Sequence, residues 1–321
     1  MQNKIALIAI SNGLGHLRRQ LILYRYLLEQ GEEVTLFCNI DDLRKLTTDG
    51  EINAKNLIIR VSELAELSSK GFFKKLRQSL EPFDIVLSDN CIEVLEARPD
   101  SFLFSSFFWH RTLKMPHDYI EKCESLLSTH KPIIFADSLF KAPYLRDIDE
   151  LIEVNMFGSP YCDVIKKNEL LISFGFGHSI NNTFLEFASR AIRVASEYNY
   201  HTWIEPRYFQ KLSGKNVSLA TYNRDMYAGS KFGLVRPGIG TLTEMIASNS
   251  FAIMLYENNN SEMSYNASVM VSLGCGIDIT NENRFEELLS DYFSESRNTL
   301  TDFTPQFTGP MDIYREWKKF G

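Results

Sequence analysis

Short apolar runs alternate with helix-length amphipathic stretches along this chain, and that rhythm restricts its fold more than any other feature of its 321 residues. In the first half the runs are Ile5–Ile10, Glu33–Cys38, Leu57–Val61, Asp84–Ser88, Phe102–Ser105 and Ile133–Ala136. The pattern breaks at Phe157–Asn168, where Gly158, Ser159 and Pro160 punctuate the chain. It restarts with Glu169–Phe174, His201–Ile204, Val217–Ala220, Phe232–Val235, Phe251–Leu255 and Gly276–Ile279. Runs that stay apolar instead of alternating suit parallel strands covered on both faces. The reading is α/β: two doubly wound domains in tandem, one over 1–157 and one over 158–321. Helices are expected at Asn182–Tyr198, with Phe184, Ala188 and Ala191 on one face, and at Asn283–Phe293. A terminal helix, Met311–Phe320, carries Ile313, Tyr314 and Trp317 as an apolar stripe that needs a surface to pack on.

Composition narrows the function. A net charge of −7 gives no support to nucleic-acid binding, so an anionic ligand must be held by local geometry. Five cysteines, without paired CxxC spacing or a zinc-type histidine cluster, read as reduced thiols in a cytoplasmic protein, with no metal or cofactor expected. Ser11 and Asn12 interrupt the first apolar run, which is too short for a signal-peptide core or a membrane span. Gly71-Phe72-Phe73-Lys74-Lys75-Leu76-Arg77 mixes aromatics with cations and offers peripheral contact with anionic lipid at the inner face of the membrane. The plainer alternative is an amphipathic helix with its aromatics in the core.

Three strand-to-helix turns carry glycine. The strand Phe232–Val235 runs into Arg236-Pro237-Gly238-Ile239-Gly240-Thr241, with Glu244 one turn into the helix that follows. Glycines here let backbone N–H groups approach a ligand, and the positive end of the helix favours phosphate. A second turn, Ser11-Asn12-Gly13-Leu14-Gly15-His16-Leu17-Arg18-Arg19, presents a histidine where it can face a ligand; the alternative is a capping histidine and two solvated arginines. The third turn, Ser173–Ser179, includes Gly175, Gly177 and His178, and Asn266 follows the next strand-to-helix connection downstream. Loops after parallel strands share the carboxyl edge of the sheet, so these turns converge. Asp89, after the strand Asp84–Ser88, either orients the His16 imidazole or caps a turn. His110, in Phe107-Phe108-Trp109-His110-Arg111, lines the acceptor side or packs in a core.

On these residues the chain resembles the GT-B glycosyltransferases, most closely the family 28 group that contains the bacterial N-acetylglucosaminyltransferase forming lipid II. Met226 to Gly276 carries an Arg-x-Gly-x-Gly-Thr-x-x-Glu turn, a strand and an Asn-Ala helix in the family's order, and Gly13–His16 matches its N-terminal Gly-x-Gly-His element. The resemblance implies two Rossmann-like domains facing across a cleft, with the terminal helix packing back on the N-terminal domain. It implies that the amides of Gly240 and Thr241 hold a diphosphate, with Gly238 opening the nucleotide-sugar turn before them, Glu244 the ribose, and backbone near Tyr222 and Asn223 the base. Gly175, Gly177 and His178 would lie near the phosphates, Gly15 beside the donor, and Asn266 near the sugar. Arg236 matches a recurrent arginine or is a structural partner within its turn. Glu262 and Met263 replace a pair of glutamines that read the donor sugar, which implies a different sugar.

The implied reaction is an inverting, metal-independent transfer from a nucleotide sugar, a UDP-sugar by family likeness, to a hydroxyl of a sugar or lipid-linked acceptor in cell-surface glycan or glycolipid synthesis. His16 would be general base and Asp89 its orienting partner. Two rivals share the donor site. The UDP-sugar hydrolase of pseudaminic acid biosynthesis has a closely similar turn to Gly13–Arg19 and uses water as acceptor; a sugar-nucleotide-binding protein would have no turnover. An oxidoreductase is disfavoured, because the first turn lacks a third glycine.

Overall fold

The computed structural model describes residues 2–47, 52–161, 165–175, 181–221, 224–295 and 303–319. The chain forms two compact units, Met1–Phe157 with Phe307–Gly321, and Gly158–Gln306. Each is built on one all-parallel sheet.

In the first unit the strands are β1 (Lys4–Ala9), β2 (Glu33–Cys38), β3 (Ala54–Asn56), β4 (Ile85–Asp89), β5 (Phe102–Phe104), β6 (Ile134–Asp137) and β7 (Leu151–Val154). Their order in the sheet is β3-β2-β1-β4-β5-β6-β7. The chain works outward from β1 to one edge and then returns to lay β4 on its other side, so the topological switch falls between β1 and β4. Ala9 and Asp89 are paired at the carboxyl end of that junction. Two expectations are corrected. The third strand is the short polar Ala54–Asn56, and the apolar Leu57–Val61 instead crosses the sheet's carboxyl edge, where Ser11 N donates to Ile59 O at 2.6 Å. Leu57 and Ile59 are buried there, so the apolar signal reported burial without reporting strand pairing. The seventh strand escaped the reading because its Leu-Ile-Glu-Val is only partly buried at the sheet edge.

The terminal helix, Gly309–Trp317, completes this first unit. Ile313 and Trp317 enter its core beside Leu21, Leu27 and Phe157. Asp312 Oδ2 accepts from Asn155 N at 3.0 Å and from Thr308 Oγ1 at 2.8 Å, and Lys318 reaches Glu32 at 2.7 Å. The helix begins against Asn155 and Phe157 so tightly that a Cβ on Gly309 would collide with both. Phe73 is likewise core and Phe72 half-buried, while Lys74, Lys75 and Arg77 are exposed. Among the described residues no helix is long and apolar enough to cross a membrane.

The second unit contains β8 (Lys167–Ser173), β9 (His201–Ile204), β10 (Val217–Leu219), β11 (Ser230–Val235), β12 (Phe251–Met254) and β13 (Gly276–Asp278), in the order β10-β9-β8-β11-β12-β13. Its switch point lies between β8 and β11, whose last residues, Ser173 and Val235, are paired. Helix Asn182–Glu197 is capped by Asn181, which accepts from Thr183 N, and it buries Phe184, Ala188, Ala191 and Ile192 against the sheet.

Lys166 pins the start of this sheet. Its ammonium donates to Ser230 O and Ser250 Oγ, both at 2.6 Å, and burial pushes it down to about 7 against a weaker opposing pull from Glu169. The unfolded chain keeps the ordinary value of 10.5, so between about 7 and 10.5 it binds a proton that the folded form lacks. Stability drawn from this position therefore rises with pH across that window and is lowest below it. Comparing wild type with Lys166→Met by urea unfolding should show the difference changing by on the order of 1 kcal/mol per pH unit between pH 7 and 9. A difference that does not vary with pH would contradict this.

Candidate active site

The carboxyl edge of each sheet, at its switch point, is where ligands bind in open α/β folds. In the first unit, Gly13 takes φ 76°, a left-handed conformation suited to glycine, and starts helix Leu14–Glu29 directly after β1. His16, Arg19 and Gln20 stand at i, i+3 and i+4 on this helix and therefore share a face. All three meet Asp89, the last residue of β4, whose side chain is fully buried. His16 Nδ1 lies 2.9 Å from Asp89 Oδ1. Arg19 grips the same carboxylate with both forks, Nη2 to Oδ1 at 2.6 Å and Nε to Oδ2 at 3.0 Å, and Gln20 Nε2 adds a contact of 3.3 Å.

Burial alone would raise the Asp89 carboxyl. Arg19 and His16 outweigh it and hold it at about 2. Asp89 is therefore ionised and only accepts, while Arg19 Nη2, 3.2 Å from Nδ1, only donates; the shorter contact, from Asp89 at 2.9 Å, assigns the proton to Nδ1. That tautomer leaves Nε2 with its lone pair. Arg19 is further fixed by Phe104, whose ring centre lies 4.3 Å below the guanidinium.

In and beside this cluster two buried polar atoms have no partner among the described residues, Gln20 Oε1 and Trp109 Nε1, and Ser106 Oγ, two residues beyond β5, is a third. The Trp109 ring sits 5.9 Å from that of His16. Buried unpaired polar groups mark places that a ligand or ordered water completes. His110, by contrast, is packing: it is buried, stacks on Phe108, and its Nε2 is 2.9 Å from Glu124, which Arg111 also grips. Burial lowers the His110 imidazole against the opposing pull of Glu124.

In the second unit, helix Ile239–Ala247 follows β11. Gly238 caps it without a side-chain hydrogen bond, and its first turn holds no acid. The first amides of a helix, here those of Ile239, Gly240 and Thr241, have no intrahelical partner, so this end presents N–H groups and positive potential. Gly238 N itself donates to Arg236 O at 2.8 Å and is not part of that set. Glu244, half-buried one turn further on, accepts from the Tyr161 hydroxyl. Asn266, on helix Ser261–Ser272, donates from Nδ2 to Pro237 O at 3.0 Å, while its buried Oδ1 has no partner among the described residues. Glu262 is half-buried in the first turn of that helix, and Met263 beside it points into the core.

Two sequence readings change. Arg236 is a structural partner: buried, it bonds Glu257 at 3.0 Å. The amide of Gly175 is already used, because the buried carboxylate of Glu205, at the end of β9, accepts from Phe174 N at 2.7 Å and Gly175 N at 3.1 Å. Burial raises the Glu205 carboxyl, and Arg207 beside it and these amides oppose the rise. Gly177, His178, Tyr222 and Asn223 lie outside the described residues. Gly15 is exposed in the first turn of the His16 helix.

Sequence comparison is silent: no family model matches the chain, and no curated protein does. Structure comparison is not. The spinosyn rhamnosyltransferase SpnG superposes with a TM-score of 0.65 at 14% identity, covering 99% of this chain and 96% of its own. CalG4, the calicheamicin glycosyltransferase, gives 0.60 at 13% identity, with 100% and 98% covered. Arabidopsis thaliana UGT89C1, complexed with quercetin, gives 0.64 at 12% identity, with 99% and 94% covered. This chain has the GT-B fold. Within that fold, Arg19, Gln20, Ser106, Trp109 and Tyr161 were missed as site residues by sequence reading. Arg19, Gln20 and Tyr161 bond partners distant in sequence, Ser106 Oγ and Trp109 Nε1 have none among the described residues, and only the Arg18-Arg19 pair beside His16 hinted at one of the five.

Proposed function

We propose that this GT-B chain is an inverting glycosyltransferase that moves a sugar from a nucleoside diphosphate sugar to a hydroxyl acceptor. The observation that carries the reading is the glycine-capped start of helix Ile239–Ala247, with unpaired amides at a switch point and the unpartnered Asn266 Oδ1 beside it. In the proposal the amides of Ile239, Gly240 and Thr241 take the diphosphate, Glu244 the ribose hydroxyls, and Asn266 Oδ1 a sugar hydroxyl. The acceptor belongs to the first unit, where Trp109 Nε1 beside His16 and Ser106 Oγ beyond β5 provide unused hydrogen-bonding capacity. His16 Nε2 removes the acceptor proton as its oxygen bonds to the anomeric carbon. The bond from that carbon to the diphosphate breaks on the opposite face, and the leaving group departs with the electron pair. Charge growing on the diphosphate is met by fixed amides and the helix dipole, which is why the proposal asks for no metal.

A pyrimidine diphosphate is the proposed carrier. The neighbour SpnG has been solved with thymidine diphosphate, and the motif likeness to family 28 favours uridine. The likeness to the lipid II group supports a sugar or lipid-linked acceptor in cell-surface glycan synthesis, made at the cytoplasmic side of the membrane. SpnG with its spinosyn aglycone makes a small aglycone the alternative.

The test is nucleotide release from UDP-, dTDP-, GDP- and CMP-sugars, with and without an acceptor panel. A pyrimidine sugar should support release that an acceptor accelerates, and Glu244→Ala should weaken nucleotide affinity by on the order of 10- to 100-fold. Release unaffected by any acceptor would mean hydrolysis, tight binding without release a sensor. Neither binding nor release of any of the four would overturn the reading.

A further inference from the structure

We infer that Arg19 is a positioning residue whose grip on Asp89 keeps His16 in the tautomer that can act as a base. The inference rests on the proposed role of His16. Asp89 receives four contacts from one helix: His16 Nδ1 and Arg19 Nη2 on Oδ1, and Arg19 Nε and Gln20 Nε2 on Oδ2. A carboxylate offers about four lone-pair sites, so its accepting capacity is filled. Arg19 supplies both of the charge-assisted bonds that span the two oxygens, and it is held in place by Phe104 beneath it.

Without the guanidinium, a fully buried carboxyl faces the desolvation that is already the largest influence on it. The neutral acid is then favoured, and a neutral acid donates. Its O–H would turn to His16 Nδ1, and the ring proton would move to Nε2, the nitrogen that has to be bare. The other charged groups nearby do not replace Arg19. Asp137, at the end of β6, also faces Arg19 and carries the same sign as Asp89, and Lys141 beyond it acts on Asp137. Arg19 Nη2, 3.2 Å from His16 Nδ1, only donates and cannot receive the ring proton.

The experiment reads the tautomer directly, from the two imidazole nitrogen shifts of His16 in nitrogen-15 labelled protein at pH 8, with no substrate present. Wild type should show Nδ1–H and a bare Nε2. Arg19→Gln should shift His16 toward Nε2–H and lower turnover on the order of 10²- to 10⁴-fold, with nucleotide affinity unchanged. Arg19→Lys keeps the charge without the fork and should keep Nδ1–H, which carries the test if Arg19→Gln does not fold. An Nε2–H tautomer in wild type, its appearance in Arg19→Lys, or a folded Arg19→Gln with Nδ1–H and full turnover would each overturn the inference. The tautomer readout needs no activity, so it stands or falls separately from the glycosyl-transfer reading.

Discussion

Alanine at position 16 should lower nucleotide-sugar turnover by about 10²- to 10⁴-fold while leaving nucleotide affinity within a factor of two or so of wild type. The loss follows from the proposed role of His16, whose imidazole would take the acceptor proton at the carboxyl edge of β1 and β4. Affinity is spared because the amides of Ile239, Gly240 and Thr241 belong to the other unit. The fold is spared too. With the imidazole gone, Asp89 keeps both bonds from Arg19 and the contact from Gln20, so no buried charge loses its counter-charge. Steady-state kinetics with a titration of the nucleotide alone separates the effects. A His16→Ala protein with full turnover would move the base elsewhere; one with lost affinity would move the donor.

Asp89→Ala should show the opposite separation, a large loss of stability. Asp89 is fully buried, and Arg19 is only 13% exposed at its side chain, so the substitution strands a guanidinium in a place built around a carboxylate. Breaking one side of a buried ion pair costs about 3–5 kcal/mol, against at most about 1 for the exposed pairs elsewhere on the surface. The pair also has a pH signature. A carboxyl held at about 2, below its ordinary 3.8, contributes stability that is complete above about 4 and is lost as pH falls toward 2. Urea midpoints at pH 7 and pH 3 should therefore converge between wild type and Asp89→Ala as the solution is acidified. A loss under about 1 kcal/mol at pH 7 would show that the cluster is not the buried ion pair described.

The sequence disclosed what is local. Apolar runs ending in glycine turns announced both sheets, and Gly13, at φ 76°, stands at a helix start where the backbone freedom of glycine is needed. What it could not disclose depends on contacts across the fold. Arg19 looks like a solvated cation until β4 brings Asp89 to it from 70 residues away. Nothing around Gly175 warns that Glu205, 30 residues on, fills its amide. Arg236 fits a ligand-binding motif, yet its partner is Glu257, after the next strand. The edge strands of the first sheet were misread for a related reason: Ala54–Asn56 is polar and gains its strand character only from pairing with β2. The apolar segment just beyond it is buried by crossing over that sheet.

A crystal structure of the protein with UDP or dTDP would locate the diphosphate. The account expects the diphosphate on the amides of Ile239, Gly240 and Thr241, with Glu244 on the ribose. Diphosphate seated instead on the Gly13 turn of the first unit, with the start of the Ile239 helix left empty, would contradict it.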